Sequence, residues 1–218
     1  MYQNLPLPQR LYLLCYTVDK AKFEIDNLQG RGQLLRAGAM VELARARSLG
    51  TEGRKVVRLD TEPGDDPFLV QVWNELPEKP KRWLHYLHAK AHTAERPVRD
   101  LLAGAGVLTL PERRGLSPLG SHHVTVEDPQ QVAVLQKRAR DAALSGADAA
   151  DLPLDEVAMA VLTLECKTSS VFTKEERREH RETLKVLAAH FDTAVPGLRR
   201  ALRNSFLSSR GTGGGWGN

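Results

Sequence analysis

The chain has 218 residues, enough to bury a sizeable core without disulfide or metal staples, and one domain is the organisation expected. Hydrophobic residues make up 41% and charged residues 27%, a globular balance that excludes disorder over most of the length, and aromatics at 6% leave the core to Leu, Val and Ala. The formal net charge of +4 suits an anionic partner, nucleic acid or lipid headgroups, yet is small enough to serve solubility alone.

Pro6 and Pro8 precede the apolar run Leu11 to Val18, which reads as a buried first helix starting just after the prolines. Asp19 to Asp26 reads as a connection. From Gln33 to Ser48, Leu34, Ala37, Gly38, Val41 and Ala44 recur at helical spacing and predict a second core helix. Leu49 to Asp60, with two glycines and the pair Val56 and Val57, predicts a small two-stranded ribbon. Pro63 to Asp66 then opens a helix holding Phe68, Val72 and Leu76, broken by Pro77 and Pro80. Trp83 to Ala91 and Glu95 to Gly106 predict two further helices, the second with a Gly-rich end.

Val107 to Leu110 and His122 to Val126 are strand-like flanks of a hairpin whose turn is rich in Pro, Gly and Ser. Asp128 caps a helix that ends near Leu144, and Ser145 to Asp151 is a small-residue connection. Leu152 to Lys167 is apolar on most faces, as a central helix would be. Two last helices run from Lys174 to Phe191 and from Val195 to Leu207, each with basic and acidic residues on one face. Residues 1–207 are therefore read as one helical domain and 208–218 as a flexible Gly-rich tail.

The chemistry-bearing residues form no familiar catalytic pattern. Cys15 and Cys166 sit inside apolar helical patterns and read as reduced core residues. His85 with His88, and His122 with His123, lack the carboxylate or further histidine that a metal set needs, so no metal and no cofactor are expected. Gly30 to Gly32 lacks the Lys-Ser/Thr and the preceding strand of a phosphate loop, and no nucleophile with a base can be nominated from spacing. No apolar run approaches the ~18 residues of a bilayer span, and the N-terminus lacks the order of a secretory signal. A cytoplasmic protein, or one peripheral on the cytosolic face of a membrane, is expected.

The hairpin turn stands apart because it sets Arg113 and Arg114 beside Leu116, Pro118 and Leu119 where exposure is expected. Apolar residues next to arginines can enter an anionic headgroup layer, fold back on the body, or join two copies of the chain. Helix followed by hairpin is also the order of a winged helix, with Glu95 to Ala105 in the major groove and Arg96 and Arg99 as its base-reading candidates.

Three segments carry a resemblance to a known family. LLRAGAMVELARARSL (Leu34 to Leu49), VRDLLAGAGVLT (Val98 to Thr109) and LDEVAMAVLTLECKTSSVF (Leu154 to Phe172) are similar, in order and spacing, to signatures of the Golgi phosphoprotein 3 family, in its bacterial branch. The resemblance implies an all-α fold, a compact helical domain around a central helical bundle with one or two short β-hairpins, and no enzyme activity. It implies a membrane-facing surface that, in eukaryotic members, recognises phosphatidylinositol 4-phosphate while the protein adapts glycosyltransferase cargo to vesicle coats. The family's first-helix arginine falls on Arg36, its tryptophan on Asn27, and its two later arginines on His92 and Glu95, with Lys90 and Arg96 close by as substitutes. A glutamate facing a phosphomonoester is repulsive.

The function expected is a peripheral, phosphoinositide- or anionic-lipid-binding adaptor. Arg36, Lys90 and Arg96 would hold the headgroup, and Arg113, Arg114, Leu116, Pro118 and Leu119 would enter the membrane or mediate self-association. Winged-helix DNA binding and a self-associating protein-interaction scaffold are the alternatives. The partners expected are thus an anionic phospholipid surface, other proteins, or a second copy of the chain, ahead of nucleic acid.

Overall fold

The computed structural model describes residues 2–111 and 124–211. The described chain is mainly helical, with three small antiparallel sheets at its edges. Helix α1 (Leu7–Leu14) carries Pro6 at its N-cap and Pro8 in its first turn, where a missing N–H costs nothing. It therefore starts between the prolines rather than after them. The end of the apolar run leaves the helix at Cys15, and Tyr16–Thr17 (β1) pairs with Lys22–Phe23 (β2). The segment read as a plain connection thus folds back as a ribbon, followed by the short helix α2 (Ile25–Leu28).

Helix α3 (Arg31–Arg45) is buried along most of its length. Its small residues let other helices close on it: a Cβ on Gly38 would stand 2.5 Å from Leu11 Cδ1 of α1. After α3 come β3 (Leu49–Glu52) and β4 (Lys55–Arg58), paired as expected with Leu49 opposite Arg58. A third strand, β5 (Lys81–Arg82), adds to β4 by placing Arg82 opposite Lys55. Between them lies α4 (Pro67–Asn74), whose N-cap Asp66 accepts from the amides of Phe68 and Leu69, both at 2.9 Å.

Helices α5 (Trp83–His88) and α6 (Ala91–Gly104) follow. The second begins four residues before Glu95, and Pro97 lies inside it without ending it. Strands β6 (Leu108–Thr109) and β7 (Thr125–Val126) then pair as the base of the expected hairpin. Arg113, Arg114, Leu116, Pro118 and Leu119 lie outside the described residues, as do residues 212–218 of the tail.

Helix α7 (Pro129–Leu144) starts at Asp128, whose carboxylate accepts from Gln131 N at 3.2 Å. Helix α8 (Leu154–Glu165) is buried from Val157 to Thr163 and shares the centre with α1 and α3. The penultimate helix is two pieces, α9 (Lys174–Glu179) and α10 (Arg181–Ala194), separated at His180. Helix α11 (Leu198–Gly211) runs past Leu207 into the segment read as tail. Both cysteines are free and buried, and burial pushes the Cys15 thiol up to about 12. Among the described residues no helix is long and apolar enough to cross a membrane.

Candidate functional site

Two helix starts meet at one open cleft. Gly30, the N-cap of α3, takes φ +75°, and a Cβ there would stand 2.3 Å from the Phe206 ring of α11. Two residues further, a Cβ on Gly32 would stand 2.0 Å from the carbonyl oxygen of Ala91, the first residue of α6. The first turns of α3 and α6 are thus in backbone contact, and no side chain caps either of them. Uncapped first-turn amides leave partial positive charge at both helix ends. The cleft beside them has a volume of about 430 Å³ and is lined by Arg31, Gln33, His88, His92, Glu95 and Ser209 among others.

Arg31 is the notable member. Its side chain is 1% exposed and its guanidinium carbon lies 4.7 Å from the Tyr12 ring centroid and 5.4 Å from that of Phe23. Nη2 pairs with Glu95, which ties α3 to α6, while Nε and Nη1 have no hydrogen-bond partner among the described residues. Burial works against the charge, but the negative groups around it, the Glu95 carboxylate among them, outweigh it and keep the pKa above that of an ordinary arginine. Burial likewise pushes the Tyr12 phenol well up, so that ring stays neutral. Gln33 Nε2 donates to Ser209 Oγ at 2.7 Å and His88 Nδ1 lies 3.3 Å from Ser205 Oγ, so α11 closes the third side.

The residues chosen from the sequence do not gather here. Arg36 is fully buried: Nη1 pairs with Glu75 at 2.6 Å and Nε donates to the Tyr86 carbonyl, so it presents no donor at the surface for a headgroup. Burial lowers its pKa, with Glu75 opposing the shift. Five residues separate it from Arg31, more than one helical turn, which carries it from the cleft into the core. Lys90 is exposed at the N-cap of α6, and Arg96 is 66% exposed beside Asp100 at 3.5 Å; neither lines the cleft. His92 and Glu95, the aligned positions of the family arginines, do line it. Asn27 is buried as a cross-brace: Nδ2 donates to the Cys15 carbonyl at 3.3 Å, and Oδ1 accepts from Ser169 N at 2.8 Å.

Arg31 itself was passed over in the sequence. The signal is Gly30 to Gly32, whose glycines let the Phe206 ring of α11 and the backbone of α6 close on a helix start.

The cleft continues into a basic strip. His88 also borders a shallow depression lined by Arg82, Leu84 and His85. Arg82 and Leu84 in turn border a further cleft with Arg54, Lys55 and Arg200. These four cations are exposed, and Leu84, 40% exposed, lies among them.

A family model described as Golgi phosphoprotein 3 (GPP34) matches residues 7–205 of the chain. No curated protein matches it.

Proposed function

The chain belongs to the Golgi phosphoprotein 3 family, and from that premise we propose that it is a peripheral membrane-binding protein whose α3–α6 cleft takes the phosphate of an anionic phospholipid headgroup. The observation that carries this reading is the buried Arg31, whose Nε and Nη1 are unpartnered among the described residues, at a cleft where two uncapped helix starts meet. Helix N-termini favour an anion, and their amides need no side chain to do so. Glu95 spends its charge on Arg31, so the cleft carries little net charge of its own. A phosphodiester monoanion suits it better than a phosphomonoester dianion, which would meet Glu95 across a short distance.

The strip supplies the longer-range attraction. Each exposed Lys or Arg close to an anionic leaflet contributes about 1 kcal/mol, and Arg54, Lys55, Arg82 and Arg200 border one continuous surface with the cleft. Leu84 can enter the headgroup layer between them.

Vesicle flotation at physiological ionic strength tests the reading. Three compositions are compared: neutral phosphatidylcholine, the same with phosphatidylglycerol, and the same with phosphatidylinositol 4-phosphate at matched charge. Recovery with both anionic vesicles, reduced several-fold by combined Arg54→Gln, Lys55→Gln, Arg82→Gln and Arg200→Gln, is expected. Equal recovery with neutral vesicles overturns membrane binding, and a strong preference for phosphatidylinositol 4-phosphate at equal charge overturns the phosphodiester assignment.

A further inference from the structure

A second cleft, of about 280 Å³, lies between α8, the α9–α10 pair and α11 and shares no lining residue with the first. Arg199 and Arg203 face it from α11, whereas Arg200 and Asn204 of the same helix face the basic strip. Consecutive residues of a helix point about 100° apart, so the two surfaces occupy different sides of α11.

Five cations line this cleft, Arg177, Arg181, Lys185, Arg199 and Arg203, against one carboxylate, Glu165. Glu165 accepts from Arg199 at 3.0 Å and from Arg203 at 2.6 and 2.7 Å, and Asp192 holds the other side of Arg199. Lys185 pairs with Glu182 at 2.8 Å on the rim. Arg177 and Arg181 form no ion pair among the described residues, and Arg177 Nη1 is buried without a hydrogen-bond partner. Burial lowers the Arg177 pKa and neighbouring Glu175 and Glu176 oppose the shift. Arg177 and Arg181 are thus the two cations of the cleft without an ion pair among the described residues, four positions apart across the His180 break between α9 and α10.

Beneath them the surface is apolar, with Val161 and Leu164 from α8 and Leu184 and Ala188 from α10. Two free guanidinium groups above an apolar floor match a ligand that carries two negative charges on one group and an organic body beside it. Guanidinium forks bind phosphate oxygens in pairs, and the volume is close to the lower end of the ~300–1,000 Å³ range of small-molecule sites.

We propose that this cleft binds the phosphomonoester dianion of a small organic phosphate, with Arg177 and Arg181 holding the phosphate and the α8–α10 floor holding the organic group. The site is independent of the membrane reading. It lies on the side of α11 where two arginines have no ion pair among the described residues.

Isothermal titration with phenyl phosphate, at constant ionic strength set by sodium chloride, tests it. One saturable site is expected, at least tenfold weaker for methyl phenyl phosphate, which carries one charge, and weaker below about pH 6 as the dianion takes up a proton to become the monoanion. Arg177→Gln with Arg181→Gln should weaken binding at least tenfold, and exposed Arg181→Gln alone should weaken it several-fold with no change in circular dichroism. Arg54→Gln with Lys55→Gln, on the membrane strip, should leave it unchanged. Absence of saturable heat, equal affinity for the diester, or wild-type binding by the double variant overturns the assignment. Loss of phenyl phosphate binding in the strip variant as well would reduce it to a general attraction for anions and overturn it equally.

Discussion

The two clefts are both suited to anions but are made of different material. At the α3–α6 cleft the positive charge belongs to the backbone: two helix starts held in contact by glycines, plus one arginine that is buried and paired. At the α8–α10–α11 cleft it belongs to side chains, several of them open to solvent, with Lys185 56% and Arg203 50% exposed. The first cannot be altered without disturbing the packing of α3, whereas the exposed cations of the second can be removed with little effect on packing. Stability and ligand binding should therefore be coupled at one cleft and separable at the other.

The largest effect comes from Gly32→Ala. Alanine gains up to ~1 kcal/mol in helix propensity over glycine, but the new Cβ would lie 2.0 Å from a carbonyl oxygen, and backbone cannot rotate away as a side chain can. Overpacking of this kind costs about 1–3 kcal/mol or more. A net loss of about 2 kcal/mol in urea unfolding is expected, together with loss of anionic-vesicle recovery. Gly104→Ala in α6, where a Cβ meets nothing within 4 Å, should be neutral or slightly stabilising and leave recovery intact. A Gly32→Ala protein as stable as wild type would break the claim that the first cleft is built from backbone contact.

A smaller effect probes how the second cleft is held. Glu176 closes a capping box with Thr173 at the start of α9, accepting from Thr173 N at 2.9 Å, and also pairs with Arg140. Burial raises its pKa, but the Thr173 and Arg140 bonds outweigh this and leave it below its ordinary 4.5. A folded pKa lower than the unfolded one means stability that is fully present above the unfolded value and lost as pH falls through the folded one. Glu176→Gln keeps an oxygen that can accept from Thr173 N and loses the charge opposite the partly exposed Arg140, so it should cost under about 1 kcal/mol at neutral pH, and the gap to wild type in thermal unfolding should close as pH falls through the folded pKa of Glu176. A gap independent of pH would place the cost in packing rather than in the carboxylate.

Local signals survived the passage from sequence to structure, and those that depend on distant partners did not. Asp128 was legible as a cap because a cap is satisfied by an amide three residues away. Helix α3 was legible from its period. Helix α1 was displaced because Tyr16, apolar in pattern, is claimed by a strand pairing with Phe23. The break between α9 and α10 leaves no proline or glycine to mark it. Arg31 and Arg36 look alike on one helix; their fates are decided by Glu95, Tyr12 and Phe23 for one and by Glu75 and Tyr86 for the other. Alignment put the family's arginine position on Arg36, while the cation that reaches the cleft sits five residues earlier. The second cleft needed α8, α10 and α11 together, and no spacing within any one of them reveals it.

The smallest expected effect separates two ways in which the second cleft could attract a dianion. Arg203 is half exposed and shares Glu165 with the better buried Arg199, 18% exposed. Arg203→Gln leaves Glu165 paired, so the cost to stability should be under about 0.5 kcal/mol once solvent screening is allowed for. Its charge is already balanced, and its N–H groups on the carboxylate are occupied. If phosphate is held by unoccupied guanidinium forks, Arg203→Gln should change phenyl phosphate affinity less than twofold, against at least tenfold for Arg177→Gln with Arg181→Gln. If instead the cleft acts as a diffuse positive field, removing any one of the five cations should weaken binding alike, and more so at low salt. Equal losses across single Arg181→Gln and Arg203→Gln variants would thus replace the two-arginine fork with a field, and would erase the distinction between a designed donor set on α9–α10 and the paired arginines that α11 contributes to the wall.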